Sequence, residues 1–252
     1  MPVPRLLRLQ DGPSSLVLVR HAQSVGNVAD DEARRRGAAR LDLDARDADV
    51  ELSETGRGQA AALRTWLDSA DEAELPTLVV SSPYRRAMET ARIALEGRDV
   101  EIVVDERLRE RDLGLFDGLT GTGIRAEYAE EAQRRSRVGK FYYQPPSGES
   151  WADVVLRVRS LLGDLREGFA GERVWLFTHQ AVIMSLRYVL DGLDEKRLLA
   201  VEKDDPLGNA SMTTYTRQGD GLVLESFGDA TAVDSSGADR THEPSEAEVG
   251  HG

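Results

Sequence analysis

Cysteine is absent from the 252 residues, which removes disulfides, zinc–thiolate sites and thiol nucleophiles from the chemistry open to this chain. Histidine is scarce too, with only His21, His179, His242 and His251. No apolar run approaches the roughly 20 residues of a membrane-spanning helix, and Met1 to Asp11 has two arginines but no apolar stretch of signal-peptide length. Positive charge is in deficit: 32 Lys and Arg stand against 45 Asp and Glu, a formal net charge of -13. That balance argues against a nucleic-acid groove, because phosphate backbones are held by clustered Lys and Arg. These absences lead to the expectation of a cytoplasmic chain without nucleic-acid or membrane partners. An anionic substrate would meet a repulsive long-range field, so arginines would have to concentrate in one pocket to receive it.

What remains is a globular composition, 40% hydrophobic and 31% charged, in a length that suits one domain. Leu16-Val17-Leu18-Val19, after the turn-forming Gly12-Pro13-Ser14, predicts a buried strand ending at Arg20. Thr77 to Val80, Glu101 to Val104, Arg173 to Thr178, Met212 to Thr216 and Leu222 to Phe227 read as further strands. Helices are predicted from Ser53, with Ala60, Leu63 and Leu67 at helical spacing, through Arg86, Met88 and Ile93, from about Ile124 to Arg137, from Trp151 to about Leu165, and from Ala181 to Leu190. Ser150 with Asp153 three residues on resembles a capping box. Gly114, Gly118, Gly121 and Gly123 read as a loop. Alternating strands and helices imply an α/β fold, a three-layer α/β/α sandwich whose central sheet is largely parallel. The division expected is an N-terminal extension over 1–13, a domain over 14–228 with a small cap insertion at about 115–146, and a disordered acidic tail over 229–252, where apolar residues nearly vanish.

His21 and His179 each directly follow an apolar strand, so both belong at the carboxyl edge of the sheet, where ligands of such folds bind. A neutral imidazole can attack phosphorus. That chemistry needs fixed cations around the transferred group, and Arg20 adjoins His21 while Arg86 opens the helix after Ser81-Ser82-Pro83. A leaving oxygen needs a proton, which Glu110 or a neighbouring carboxylate could give. On spacing alone each residue also has a plain reading: a hydrogen-bonded strand-end histidine, a solvated helix face for Arg85 and Arg86, a surface charge cluster for Arg109 to Asp112, a turn residue for Asn27. No metal-ligand spacing is visible.

Five segments in order give a resemblance. Val19-Arg20-His21-Ala22-Gln23-Ser24 with Asn27, Leu52-Ser53-Glu54-Thr55-Gly56 with Gln59-Ala60, Ser81-Ser82-Pro83-Tyr84-Arg85-Arg86-Ala87 with Thr90-Ala91, Leu108 to Gly114, and Phe177-Thr178-His179 together resemble the histidine phosphatase superfamily, of phosphoglycerate mutase-like fold, over Leu16 to Phe227. The family usually has Gly and Glu where this chain has Ala22 and Gln23. The resemblance implies His21 as nucleophile, Arg20, Arg86 and His179 as the phosphate pocket, and Glu110 as proton donor. It also implies Asn27 on a phosphate oxygen, with Gln23, Ser24 and Gln180 in the binding set. Neither metal nor cofactor is implied, and the expected partner is a small phosphorylated metabolite; nothing in the sequence sets an oligomeric state.

His179-Gln180-Ala181-Val182 resembles the phosphatase branch, because mutases of the family generally place Gly after the second histidine. The expected activity is therefore metal-independent hydrolysis of a phosphate monoester through a phosphohistidine. A cofactor-dependent phosphoglycerate mutase and a non-catalytic binding module of the same fold stand as alternatives. Glu149 is a further residue that could line the site, its plain reading being a favourable charge before a helix. Arg125, Arg134, Arg135, Arg137, Lys140, Tyr142 and Tyr143 are the cap residues suited to a sugar phosphate.

Overall fold

The computed structural model describes residues 12–242. In chain order the elements are β1 (Ser15–Arg20), α1 (Val25–Arg35), α2 (Glu54–Ser69), β2 (Leu78–Ser81), α3 (Arg85–Ala94), β3 (Ile102–Val104), α4 (Gly121–Glu127), α5 (Ala129–Val138), α6 (Trp151–Gly168), β4 (Arg173–Thr178), α7 (Gln180–Leu190), α8 (Glu195–Asp204), β5 (Met212–Gln218), β6 (Gly221–Asp229) and α9 (Thr231–Ser236). The strands form one sheet in the order β3-β2-β4-β1-β5-β6. The pairs β1/β4, β2/β4 and β2/β3 are parallel, and β5 and β6 add antiparallel pairs at one side.

Alternation along the central strands sorts their side chains onto two faces. Leu16, Leu18, Val174 and Leu176 point into a core with α6 and α7, whereas Val17, Val19, Trp175 and Phe177 point into a second core with α2, α3 and α9. Both faces are covered, which is why these strands read as unbroken apolar runs. Each fully buried aliphatic side chain contributes about 1.5–3 kcal/mol. Helix α6 starts as its sequence suggests: Asp153 N donates to Ser150 Oγ at 3.1 Å and Ser150 N to Asp153 Oδ2 at 2.8 Å.

The structure departs from these expectations at several points, among them α8, which was not expected. Residues 25–35 form a helix that its few apolar positions do not announce, and Asn27 is its third residue rather than a turn residue. The glycine-rich stretch is not all loop, since Thr120 caps α4 through Gly123 N. The helix expected over Ile124 to Arg137 is two helices, broken at Tyr128, whose ring packs on Phe116 with centroids 5.3 Å apart. Finally, residues 229–242 are not a disordered tail. Strand β6 runs to Asp229, α9 buries Ala232 and Val233 in the second core, and residues 239–242 are hydrogen-bonded to the domain. A few small apolar residues, Ala232, Val233 and the partly buried Ala238, pack this polar stretch on the second core, too few for composition to register. Residues 243–252 of that expected tail, and 1–11 of the expected N-terminal extension, lie outside the described residues; Gly12 and Pro13 are buried against the domain.

Phe116, Leu119 and Tyr143, with Leu113, Ile124 and Tyr128 packed on them, make a third, small core apart from the other two. This is the region expected as a cap. It is stitched to the loop after α1 by Leu41 N to Gly118 O (2.9 Å) and Thr120 N to Ala39 O (3.0 Å). No described helix is long and apolar enough to cross a membrane. Truncation of Leu176, fully buried in β4, is expected to lower the unfolding free energy by about 2–5 kcal/mol; urea denaturation of the Leu176→Ala protein measures it.

Candidate active site

Strands β1 and β4 are parallel neighbours with Arg20 opposite Thr178, so the next residue of each, His21 and His179, emerges side by side at the carboxyl edge. Their ring centroids are 5.1 Å apart. His21 N donates to Thr178 O at 2.9 Å, carrying the pairing one residue past the strand. The adjacent strand ends beside them, where Ser82 N donates to Phe177 O at 2.9 Å and Ser82 Oγ lies 2.9 Å from His179 Nε2. Three strand ends thus converge on one spot.

His21 is 3% exposed. Its Nδ1 sits 2.8 Å from the carbonyl oxygen of Ala22, and a carbonyl only accepts, so Nδ1 carries the proton and Nε2 keeps its lone pair. Burial holds the pKa of His21 well below its ordinary value, and the charges of Arg86 and Arg20 push it the same way, against the Ala22 bond. His179 is lowered likewise, by burial first and then by Arg86, His21, Arg157 and Arg20. Both rings are therefore neutral. His179 Nδ1 has no hydrogen-bond partner among the described residues.

Arg20 is fully buried, and its Nη1 donates to the carbonyl of Leu207. Arg86, in the first turn of α3, forks onto Asp47: Nη1 lies 2.8 Å from Oδ1 and 2.6 Å from the Asp47 carbonyl, and Nη2 lies 3.4 Å from Oδ2. Its guanidinium lies 5.0 Å above the Tyr84 ring, which in turn meets His179 edge-on at 5.2 Å. The solvated-face reading of Arg86 is thereby replaced, since its side chain is only 6% exposed. Arg85 does follow that reading, half-exposed and paired with Glu51 and Glu89.

The loop bearing Glu110 is tied to the site by Thr178 Oγ1, which donates to Leu108 O at 2.8 Å. Glu110 Oε1 accepts from Arg111 N at 2.7 Å. The carboxylates of Asp47, Asp112 and Glu110 act on Tyr84, whose hydroxyl is pushed up to about 12, mainly by burial and then by Asp47. Glu110 is thus brought to the same cluster. Glu149 takes a different part: it pairs with Arg157 (3.1 Å) and Arg109 (2.7 Å) and accepts from Asp112 N (3.1 Å), so it props the loop rather than lining the site.

Ser24 and Asn27 form a capping box at the start of α1, with Ser24 N donating to Asn27 Oδ1 at 2.9 Å and Asn27 N to Ser24 Oγ at 3.1 Å. Gln23 turns its Oε1 to Ser53 Oγ, 2.7 Å away. Gln180 opens α7, half-buried, beside His179. Gly56, in the first turn of α2, lets this loop lie against the helix, since a Cβ there would sit 1.9 Å from Gln23 O. Of the cap residues, Tyr143 is buried and donates to Glu131 at 2.8 Å, and Lys140 lies over the Trp151 ring at 5.5 Å. Arg125, Arg134, Arg137 and Tyr142 are exposed and Arg135 is half-buried. Asp47 was invisible to sequence reasoning, one acid among many between Asp42 and Asp49. Among the described residues no group of three or more His, Asp or Glu is placed to hold a metal.

A family model described as histidine phosphatase superfamily (branch 1) matches residues 16–230. The chain is 37% identical over 162 residues to glucosyl-3-phosphoglycerate phosphatase of Mycobacterium tuberculosis, covering 64% of this chain and 62% of that one. It is 32% identical over 192 residues to 2,3-bisphosphoglycerate-dependent phosphoglycerate mutase 2 of Gloeobacter violaceus, covering 74% and 80% respectively. The solved structure of mycobacterial glucosyl-3-phosphoglycerate phosphatase complexed with VO3 matches with a TM-score of 0.68 at 32% identity, over 86% of this chain and 100% of that one. Against other mycobacterial relatives, 32% identical over 185 residues, the chain spans only 45% of their length.

The two lowered imidazoles have a consequence for stability. Below their ordinary value of 6.5 the unfolded chain binds protons that the folded chain refuses. Stability is therefore full above that value and falls as pH drops through it, by at most about 1.4 kcal/mol per pH unit for each histidine. Urea denaturation at roughly pH 7.5 and roughly pH 5.5 is expected to show this loss, reduced in His179→Gln, which keeps only one of the two titrating rings.

Proposed function

Given that this chain belongs to the histidine phosphatase superfamily, we propose that it hydrolyses a small phosphate monoester through a phosphohistidine formed on Nε2 of His21. The observation that carries the reading is the buried pair of neutral imidazoles, with the lone pair of His21 Nε2 available and Arg20 and Arg86 acting on both rings. In the first step Nε2 attacks phosphorus, the P–O bond to the leaving group breaks, and Glu110 gives that oxygen its proton. In the second, Glu110 takes a proton from water as its oxygen attacks phosphorus, the P–N bond breaks, and inorganic phosphate leaves with His21 restored. Arg20, Arg86 and His179 hold the charge on the phosphoryl oxygens, His179 having an Nδ1 to commit to them. Asn27, Gln23, Ser24 and Gln180 shape the loop and helix start around the group.

Transfer to water rather than back to a substrate is favoured by the carboxylates around Arg86. Asp117 is pushed up by burial and by the charges of Asp47 and Asp112, with Arg86 opposing. A mutase must hold a second phosphate, and three carboxylates near the first cradle disfavour it. Gln180 after His179, and a phosphatase relative at 37% identity, support the same side. Purified protein is expected to hydrolyse p-nitrophenyl phosphate without added metal, and His21→Ala to lose at least about a thousandfold in kcat/KM; unchanged activity in that variant overturns the reading. Conversion of 3-phosphoglycerate dependent on a bisphosphoglycerate primer would replace it with the mutase reading.

Asp47 shares Arg86 with the incoming phosphoryl group in this scheme. A like charge at such range costs an incoming anion on the order of 1 kcal/mol. Asp47→Asn is therefore expected to tighten competitive inhibition by inorganic phosphate about fivefold, as measured from initial rates.

A further inference from the structure

The segment from His21 to Asn27, the loop and the first turn of α1, is held by two buried amide side chains. Asn209 Nδ2 donates to His21 O at 3.2 Å and lies 3.4 Å from Asn27 Oδ1. Gln59 Oε1 accepts from Gln23 N at 2.9 Å. A carboxamide is nearly symmetric in shape but not in polarity, so its orientation is set by neighbours that can only donate or only accept. Turned over, Asn209 would set its oxygen against the carbonyl of His21 and Oδ1 of Asn27, and Gln59 would face a donor with a donor.

One hydroxyl joins the two amides. Thr241 Oγ1 accepts from Gln59 Nε2 at 2.9 Å and donates to Asn209 Oδ1 at 2.9 Å. A hydroxyl has a single proton; given to Asn209 Oδ1, it satisfies the amide oxygen that is left once Asn209 Nδ2 faces the His21 carbonyl, while a lone pair accepts from the Gln59 nitrogen that is left once Gln59 Oε1 faces Gln23 N. Residues 239–242 are themselves secured, since Asn209 N donates to Thr241 O at 2.8 Å, Gln59 Nε2 also donates to Asp239 O at 2.7 Å, and Gly208 bridges His242.

We propose that Thr241 is a positioning residue, and that residues 239–242 form a strap which sets the loop of His21 from more than 200 residues away in sequence. The proposal concerns how the nucleophile is held and rests on the phosphatase reading only for its kinetic readout. Removing the hydroxyl while keeping the shape, in Thr241→Val, leaves Asn209 Oδ1 without its donor and cuts the link between the two amides that hold the His21 loop. Displacement of a catalytic group by a fraction of an ångström to about 1 Å typically costs up to roughly a hundredfold.

The test is steady-state hydrolysis of p-nitrophenyl phosphate by the full chain, with Thr241→Ser beside Thr241→Val, together with the imidazole nitrogen resonances of His21. The expected result is a kcat lowered roughly ten- to a hundredfold in Thr241→Val with KM changed less than about threefold, restoration in Thr241→Ser, and a moved His21 signal in Thr241→Val alone. Equal kcat and an unmoved His21 signal in Thr241→Val overturn the proposal, as does equal loss in both variants, which would assign the effect to the methyl group or to folding. If wild-type protein hydrolyses nothing, the phosphatase reading fails by itself and the His21 signal alone decides the strap.

Discussion

Parallel pairing of β1 with β4 is the constraint on which the site depends. Arg20 lies opposite Thr178, so the chain leaves both strands at the same level and places His21 against His179. Neither ring chooses its neighbour; the ladder does. Because successive residues of a strand face opposite sides, a slip of one residue would exchange the two cores along with the histidines. The apolar residues that stabilise the sheet therefore also specify the register of the chemistry.

Electrostatics at that edge run against the character of the whole molecule. The chain carries a net charge of -13, yet after burial itself the foremost charge acting on each buried ring is that of Arg86, with Arg20 adding to it. Burial and cations act together to keep the imidazoles neutral, the form in which a nitrogen lone pair is available. Arg86 also faces carboxylates: Asp47 holds it in a fork, and Asp117 feels both Arg86 and the charges of Asp47 and Asp112. A cation fixed in place by an acid is preorganised, at the expense of some of its attraction for an incoming anion.

Support for the site comes from segments far apart in sequence. Glu149 braces the loop of Glu110 by way of Arg109 and Arg157, and the loop after α1 is joined to the cap at Gly118 and Thr120. At the C-terminal side, α9 anchors the chain in the second core before residues 239–242 reach Gln59 and Asn209. Such props satisfy buried polar groups in pairs, which leaves few alternative arrangements of the loops that they hold.

The amino-acid sequence by itself determined the strands, because buried β-runs and their turn residues are local signals, and with them the position of His21 and His179 at strand ends. It determined α6 and its capping box, Ser150 with Asp153, for the same reason. The order of its five recognisable blocks determined the family. Only the tertiary structure decided that Asn27 caps a helix, that Glu149 braces a loop, that Tyr143 belongs to the cap's core and that residues 229–242 are folded. It alone joined Asp47 to Arg86 and Thr241 to Asn209 and Gln59. Periodicity and capping are written within a few residues of one another, whereas a hydrogen bond between side chains 39 or 182 positions apart leaves no pattern in the chain until the core has brought its ends together.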